Sequence, residues 1–275
     1  MDVHTQSFLN NHPCFNKGAS VNWGRVHLPV APNCNIQCNF CNRMYDCANE
    51  NRPGVTQKVY TPDEAVAYLE KLFKDRQDIS VIGIAGPGDP MCDADKTLPT
   101  FEKCRARFPH LMLCLSTNGL ALPEHVDDIV RIGVSHVTVT VNAVTPSVGG
   151  KVYSWVRYNG KTYTGEEGAA ILLARQDEGI RKLKEEGMIV KINTVVIPRI
   201  NMDHVPQIAA KAKEWKADIM NCMAMIPVHD TPFAGIETPS KEDIHRVRQF
   251  ISGSMKQMTH CSRCRADACG KLGCE

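Results

Sequence analysis

Three cysteines carry the most specific chemistry in this chain. Cys34, Cys38 and Cys41 lie in the run Cys34-Asn-Ile-Gln-Cys38-Asn-Phe-Cys41, a C-x3-C-x2-C spacing on a short loop. Thiolates spaced this way occupy three corners of an iron–sulfur cubane and leave its fourth iron without a protein ligand. An iron with open positions accepts the amino and carboxylate groups of a small co-substrate, and an electron from the cluster can then break a bond in it. A structural zinc site asks for four closed ligands, commonly two C-x2-C pairs, which this loop does not supply.

Other candidates lie outside that loop. Cys47 follows Cys41 by six residues, Cys114 falls in a later apolar run, and His12-Pro-Cys14 sits near the N-terminus. The run Cys261-Ser-Arg-Cys264-Arg-Ala-Asp-Ala-Cys269 near the C-terminus holds a C-x2-C pair suited to a cluster or to zinc. Taken singly, Cys92, Cys104 and Cys222 read as small buried hydrophobes.

Thirteen cysteines in 275 residues, an odd count without a secretory leader, argue against a disulfide framework. They read instead as metal ligands or packing residues in a reducing, cytoplasmic compartment. The chain is 43% hydrophobic and 23% charged with a formal net charge of +2, the profile of a globular protein with room for a sizeable core. That balance gives no electrostatic case for nucleic acid or a membrane surface. No apolar run approaches the roughly 18 residues a membrane span requires.

The elements that must position these residues alternate. Strands are predicted at 25–30, 79–85, 111–116, 136–142, 188–197 and 218–225. Helices are predicted at about 62–74, 98–107, 123–132, 166–187, 203–216 and 241–256. Such alternation argues an α/β fold with a parallel sheet, and six units suggest a partial (βα)6 TIM-like barrel. One domain is expected over 1–275: an N-terminal segment at 1–24, a barrel core at 25–257 and a C-terminal tail at 258–275. Neither end offers an obvious strand. Strand parity turns Val137, Val139 and Val141 toward the helices. It leaves His136, Thr138, Thr140 and Asn142 inward, with Cys114, Ser116, Lys191 and Asn193 from the neighbouring strands. An interior that polar is a binding cavity.

The cysteine spacing, with aromatic Phe40 before the last thiol and the loop placed after the first strand, resembles the radical S-adenosylmethionine (SAM) superfamily. The glycine-rich turn Val-Ile-Gly-Ile-Ala-Gly-Pro-Gly-Asp-Pro at 81–90 matches the place where that superfamily holds the methionyl amino group of SAM, with Gly86 the candidate. Thr138 and Asn193 are candidates for the SAM carboxylate or ribose, and Met223 and Met225 for the pocket wall, though packing is the default for a methionine.

The ordered set HPCFN, CNIQCNFCNRMYDC, GIAGPGDP, LCLSTNG, IPVHDTPF and CSRCRADACG, from residue 12 to 270, looks like the NifB family of nitrogenase cofactor maturases. The resemblance implies three [4Fe–4S] clusters. Cys34, Cys38 and Cys41 would hold the one that binds SAM. His12, Cys47 and Cys114 would hold a first auxiliary cluster, and Cys14, Cys261 and Cys264 a second. It further implies that one SAM donates a methyl group to a cluster sulfide. A second SAM would yield a 5′-deoxyadenosyl radical that draws hydrogen from that carbon. The two auxiliary clusters and an extra sulfur would then fuse around a carbide into an eight-iron cofactor precursor. A cluster donor, an electron donor and a separate carrier protein are the partners implied, because the chain stops where many relatives continue into a carrier domain.

Glu64 has two readings: Thr61-Pro-Asp-Glu64 is a helix capping box, and in the family an acidic residue here could reach a substrate cluster. Cys269 and Cys274 depart from the family's tail. Two alternatives stand beside this reading. One is a radical SAM enzyme with auxiliary clusters acting on a peptide or small molecule, and the other is a non-enzymatic iron–sulfur scaffold.

Overall fold

The computed structural model describes residues 11–273. Six parallel strands follow one another across a curled sheet: β1 (Gly24–His27), β3 (Ile79–Ile84), β4 (Met112–Thr117), β5 (His136–Thr140), β8 (Ile189–Val196) and β9 (Ile219–Ala224). Helices α2 (Pro62–Asp75), α3 (Ala94–Arg107), α4 (Val126–Ile132), α6 (Gly165–Glu185) and α7 (Val205–Glu214) supply the crossovers. This is the expected α/β half-barrel. The outer face of the sheet is dry: Leu113, Leu115, Val137, Val139 and Ile192 are fully buried in one apolar cluster beneath the helices. Each contributes about 1.5–3 kcal/mol by leaving water. Parallel strands covered on both faces read as continuous apolar runs, and β3 is buried along its whole length.

Helix ends are set locally. Thr61 accepts from the Glu64 backbone N–H at 3.3 Å while the Glu64 carboxylate accepts from the Thr61 N–H at 2.9 Å, starting α2. Ser240 and Asp243 repeat the device at α8 (Lys241–Ile251). Gly133 closes α4 at φ +82°, a left-handed turn that favours glycine.

Two features depart from expectation. The tail does contribute a strand: β10 (Cys269–Gly270) pairs antiparallel with β1, Arg25 against Gly270 and Val26 against Cys269. The run is too short for periodicity to reveal it. A second sheet also forms, from β2 (Ile36–Cys38), β6 (Tyr153–Tyr158) and β7 (Lys161–Tyr163). Its β6–β7 hairpin turns on Asn159-Gly160, both at positive φ, the dipeptide most typical of a tight hairpin. Short α1 (Ala19–Asn22) leads into β1, and short α5 (Pro146–Val152) into β6. Among the described residues, no helix is long and apolar enough to cross a membrane.

Candidate active site

The cysteine loop leaves β1 at the C-terminal edge of the sheet and is held from three sides. Its middle, β2, pairs with β6, Ile36 opposite Val156 and Cys38 opposite Tyr153. Phe40 is 1% exposed and packs with Val152, Tyr153 and Met225 in a second apolar cluster. Gln37 donates its side-chain amide to the Cys38 and Cys41 carbonyls at 3.1 and 2.5 Å. The glycine-rich turn clamps the loop's entrance: the Gly88 N–H donates to the Ala31 carbonyl at 2.6 Å and the Asp89 N–H to the Asn33 carbonyl at 2.7 Å. A Cβ on Gly88 would stand 2.0 Å from the Asn33 carbonyl oxygen, so only glycine permits this approach. Asp89 ties the turn to β4, accepting from Thr117 Oγ1 at 3.0 Å and from the Asn118 N–H at 2.5 Å. Burial pushes its carboxyl up to about 6, against the pull of those donors.

Burial also raises the Cys34 and Cys38 thiols well above their ordinary value and takes Cys47 up to about 12. Buried thiols of this kind ionise when a cation is supplied, and a metal-bound thiol is deprotonated outright. The surroundings are prepared for that charge. Asn118 Nδ2 lies 3.7 Å from Cys34 Sγ, and Asn49 Nδ2 lies 3.4 Å from Cys38 Sγ and 3.8 Å from Cys47 Sγ. The Arg43 guanidinium faces Cys34, Cys41 and Cys47.

The inward face of the half-barrel encloses a cavity. Cys114 and Ser116 line it from β4, Thr138 from β5, Lys191 and Asn193 from β8, and Asn221 and Met223 from β9. Both chain ends close it: His12 and Cys14 from one side, Cys261 and Cys264 from the other. Several of its polar atoms are buried with no protein partner, namely Thr138 Oγ1, Asn193 Oδ1, Asn221 Oδ1 and His12 Nε2. Unsatisfied groups that converge on one cavity mark a ligand site.

His12 stacks edge-on against Phe15 and tilted against His136, ring centroids 4.7 and 4.4 Å away. Burial lowers its pKa well below the usual value, with His136 and Lys191 adding to the effect, so the ring is neutral. Its Nδ1 accepts the Cys14 N–H at 3.1 Å, which leaves the ring proton on Nε2. Metal ligation at Nε2 therefore requires that proton to move to Nδ1 and the Cys14 N–H to find another acceptor. Cys14 and Cys114 are pushed by burial to about 11 and 12, each with Lys191 pulling the other way. The buried Lys191 ammonium faces Cys14, Glu50, Cys114 and Cys261 and sits 5.3 Å over the Phe15 ring.

The candidates lie in two neighbouring groups. Cys47 faces Cys34, Cys38 and Cys41, while Cys14, Cys114 and Cys261 face Lys191. Glu50, three residues beyond Cys47, joins the two groups. Its carboxylate accepts from Thr140 Oγ1 at 2.5 Å and from Asn193 Nδ2 at 2.7 Å, and it lines the inner cavity. Sequence reading missed Glu50, whose only signal is the Cys-x-x-Glu spacing, and gave the inward Lys191 no role.

Four candidates lie elsewhere. Glu64 does not line the cavity: it is the helix cap, 2.8 Å from Lys58 on the surface, the arrangement of the first of its two readings. Ala85, not Gly86, lines the cavity, and the Gly86 carbonyl accepts from the Ala31 N–H at 3.3 Å. Met225 packs with Phe40. Cys269 sits against the outer core beside Tyr68. Cys274 lies outside the described residues.

Among the described residues, no three His, Cys, Asp or Glu side chains converge on a point suited to a single ion. A cubane asks for a wider arrangement, because each thiolate goes to a different iron. The loop's buried thiols with amide donors on their sulfurs fit such a cluster.

Sequence comparison agrees with this geometry: the pattern of the Radical SAM superfamily matches residues 28–212. The chain belongs to the radical SAM superfamily. It is 43% identical over 265 residues to "FeMo cofactor biosynthesis protein NifB" of Chlorobaculum tepidum, covering 96% of this chain and 62% of that one. The protein of the same description from Sinorhizobium fredii is 45% identical over 277 residues, covering 99% of this chain and 56% of that one. The chain thus spans about three fifths of the length of these curated relatives. In three dimensions it is similar to Streptococcus suis SuiB bound to S-adenosylmethionine, with a TM-score of 0.58 and 16% identity over 84% of this chain and 47% of that one. At that identity the likeness speaks to the fold alone.

Proposed function

We propose that this radical SAM protein acts in nitrogenase cofactor assembly, joining two four-iron clusters around a SAM-derived carbide, with an added sulfur, into an eight-iron precursor. One observation carries the reading: His12 and Cys14 from one end of the described chain meet Cys261, Cys264 and Cys114 in a single cavity on the inward face of the half-barrel. A small-molecule substrate needs no such ring of thiols, whereas iron–sulfur substrates do. The relatives at 43 and 45% identity, named for FeMo cofactor biosynthesis, support the same reading.

Cys34, Cys38 and Cys41 would hold the cluster that supplies the electron for SAM cleavage. The chain's own residues do the rest. Thr138, Asn193 and Asn221 offer unsatisfied polar atoms to bound SAM or substrate. Lys191 and Arg25 lower the cost of gathering thiolates in a buried space, each acting as a counter-charge. Phe40 and its apolar neighbours keep water from the loop's rear. His12, Cys14, Cys47, Cys114, Cys261 and Cys264 would hold the substrate clusters, and a mixed, sparse ligand set suits clusters that must be released to a carrier. Glu50 is placed to add a carboxylate to either group.

The test is anaerobic reconstitution with iron counting. Nine candidate ligands correspond to three four-iron clusters, hence about 12 iron atoms per chain. Cys34→Ala, Cys38→Ala and Cys41→Ala should each abolish SAM cleavage and leave most of the remaining iron bound. A fully loaded, active protein with only about four irons would refute the reading.

A further inference from the structure

A wide groove opens at the β9 edge of the half-barrel, between the end of β9, the start of α8 and the tail. Its wall carries Arg52, Lys241, Arg248 and Arg263, with His245 beside them, and among the described residues not one Asp or Glu. In a chain with 32 basic and 30 acidic residues, such segregation gives the groove a local positive potential that the net charge conceals.

Two of the guanidiniums are anchored to backbone carbonyls and keep buried N–H groups without a hydrogen-bond partner, Arg263 facing Cys261, Glu50 and Cys47 across the groove floor. Arg248 donates Nη2 to the Cys222 carbonyl at 3.0 Å, and its buried Nε has no partner. Arg263 donates Nη2 to the Ala48 carbonyl at 3.3 Å, and its buried Nε and Nη1 have none. The Arg263 backbone is left-handed at φ +53°, an uncommon conformation for a side-chain-bearing residue and one that collects at functional sites. Buried guanidinium N–H groups without acceptors are costly unless an anion supplies them.

The groove leads inward. Cys261 and Met223 line both it and the inner cavity, so its floor is the wall of the thiol-lined space. SAM, with a sulfonium and an ammonium against one carboxylate, is a net cation, and this opening repels it. An iron–sulfur cluster wrapped in thiolates is a net anion, and this opening attracts it.

We propose that this groove is an anion-binding port leading to Cys261, with Arg248 and Arg263 its anion-holding residues and thiolate-ligated iron–sulfur clusters its traffic. The anion site stands on the groove alone; the naming of its ligand rests on the function proposed above.

The two parts are tested separately. In the full chain, kept reduced and metal-free, Cys261 is alkylated with anionic iodoacetate and with neutral iodoacetamide, and labelling is followed by peptide mass spectrometry. Cys92 is the internal reference, since Asp89 and Asp93 dominate the charges facing it and Arg43 and Arg157 only partly offset them. The iodoacetate-to-iodoacetamide rate ratio should be about tenfold higher at Cys261 than at Cys92. It should fall toward the Cys92 value in Arg248→Gln, in Arg263→Gln and at high salt. Equal ratios at the two cysteines, or a Cys261 ratio unmoved in both variants, would overturn the port. Arg248→Gln, on a half-exposed helix face, keeps the test open if Arg263→Gln misfolds.

The second arm loads the chain from a synthetic four-iron cluster bearing anionic thiolates. Loading beyond the first four irons should slow several-fold in Arg248→Gln and with salt. Equal loading in variant and wild type refutes the assigned traffic. A wild-type chain that never loads beyond four irons refutes the proposed function and the traffic with it, and leaves the alkylation result intact.

Discussion

Arg25 and Cys264 lie 239 positions apart in the chain, yet Arg25 Nη2 donates to Cys264 Sγ at 2.6 Å in the fully buried interior. The same guanidinium donates Nη1 to the Gly270 carbonyl at 2.5 Å. Burial pushes the Cys264 thiol up while Arg25 pulls it back toward ionisation. One side chain of the first strand therefore anchors the tail and prepares one of its sulfurs.

Arg25→Gln should lower stability by on the order of 3 kcal/mol, because a buried carbonyl and a buried sulfur both lose a charged donor. Urea unfolding measures the loss. Amide exchange at 264–270 should quicken more than elsewhere, and unchanged exchange there would show that the tail is held by something else.

Gly88→Ala should damage the cysteine loop. The added methyl would meet backbone, not a yielding side chain, at 2.0 Å from the Asn33 oxygen. A cost of about 3 kcal/mol or more is expected, with loss of the SAM-binding cluster on reconstitution. Gly235→Ala is the control, since a Cβ there meets nothing within 4 Å. Wild-type iron content and melting temperature in Gly88→Ala would refute the close approach.

Glu64 should prove structural. Its carboxylate is lowered to about 2 by Lys58 and by the Thr61 backbone and hydroxyl. Glu64→Gln retains a capping partner and should melt near the wild type, and Glu64→Ala should melt measurably lower. On the function proposed above, both should cleave SAM and load iron as the wild type does; loss of cluster loading at unchanged melting temperature would make the carboxylate functional.

His204 should make stability fall in mild acid. Its ring is buried, and Nε2 accepts the Val144 N–H at 3.1 Å, which only the neutral form can do. Burial lowers its folded pKa below the unfolded value near 6.5. The unfolded chain therefore takes up the proton first, and stability declines as pH drops below about 6.5, by up to about 1.4 kcal/mol per pH unit. His204→Gln is weaker at pH 7.5 but lacks this slope, so its deficit should shrink at pH 5.5. Denaturant midpoints at the two pH values decide it: a constant deficit means that His204 does not titrate with folding.

Much of this architecture is written locally. The C-x3-C-x2-C loop, the six parallel strands, the capping box at Thr61 and the inward set Cys114, Ser116, Thr138, Lys191 and Asn193 follow from spacing and from the two-residue period of a strand. Those signals need no knowledge of what lies across the fold. The remainder was decided by tertiary contact. Neither β2 nor β10 is long enough to show a period; each exists because a distant strand, β6 or β1, offers it backbone partners. The hairpin that braces the loop did leave a local trace in Asn159-Gly160, but its docking on Cys38 did not. Glu50 and Lys191 acquire their roles because the sheet curls and brings Cys14, Cys114 and Cys261 to them. Cys47 sits beside Cys38 and Cys41 for a similar reason: its N–H donates to the Pro87 carbonyl at 2.8 Å, so the turn after β3 decides where that thiol stands. Side-chain chemistry is set by residue type, but which charges share a buried space depends on chain closure over long separations, and local periodicity carries no record of that.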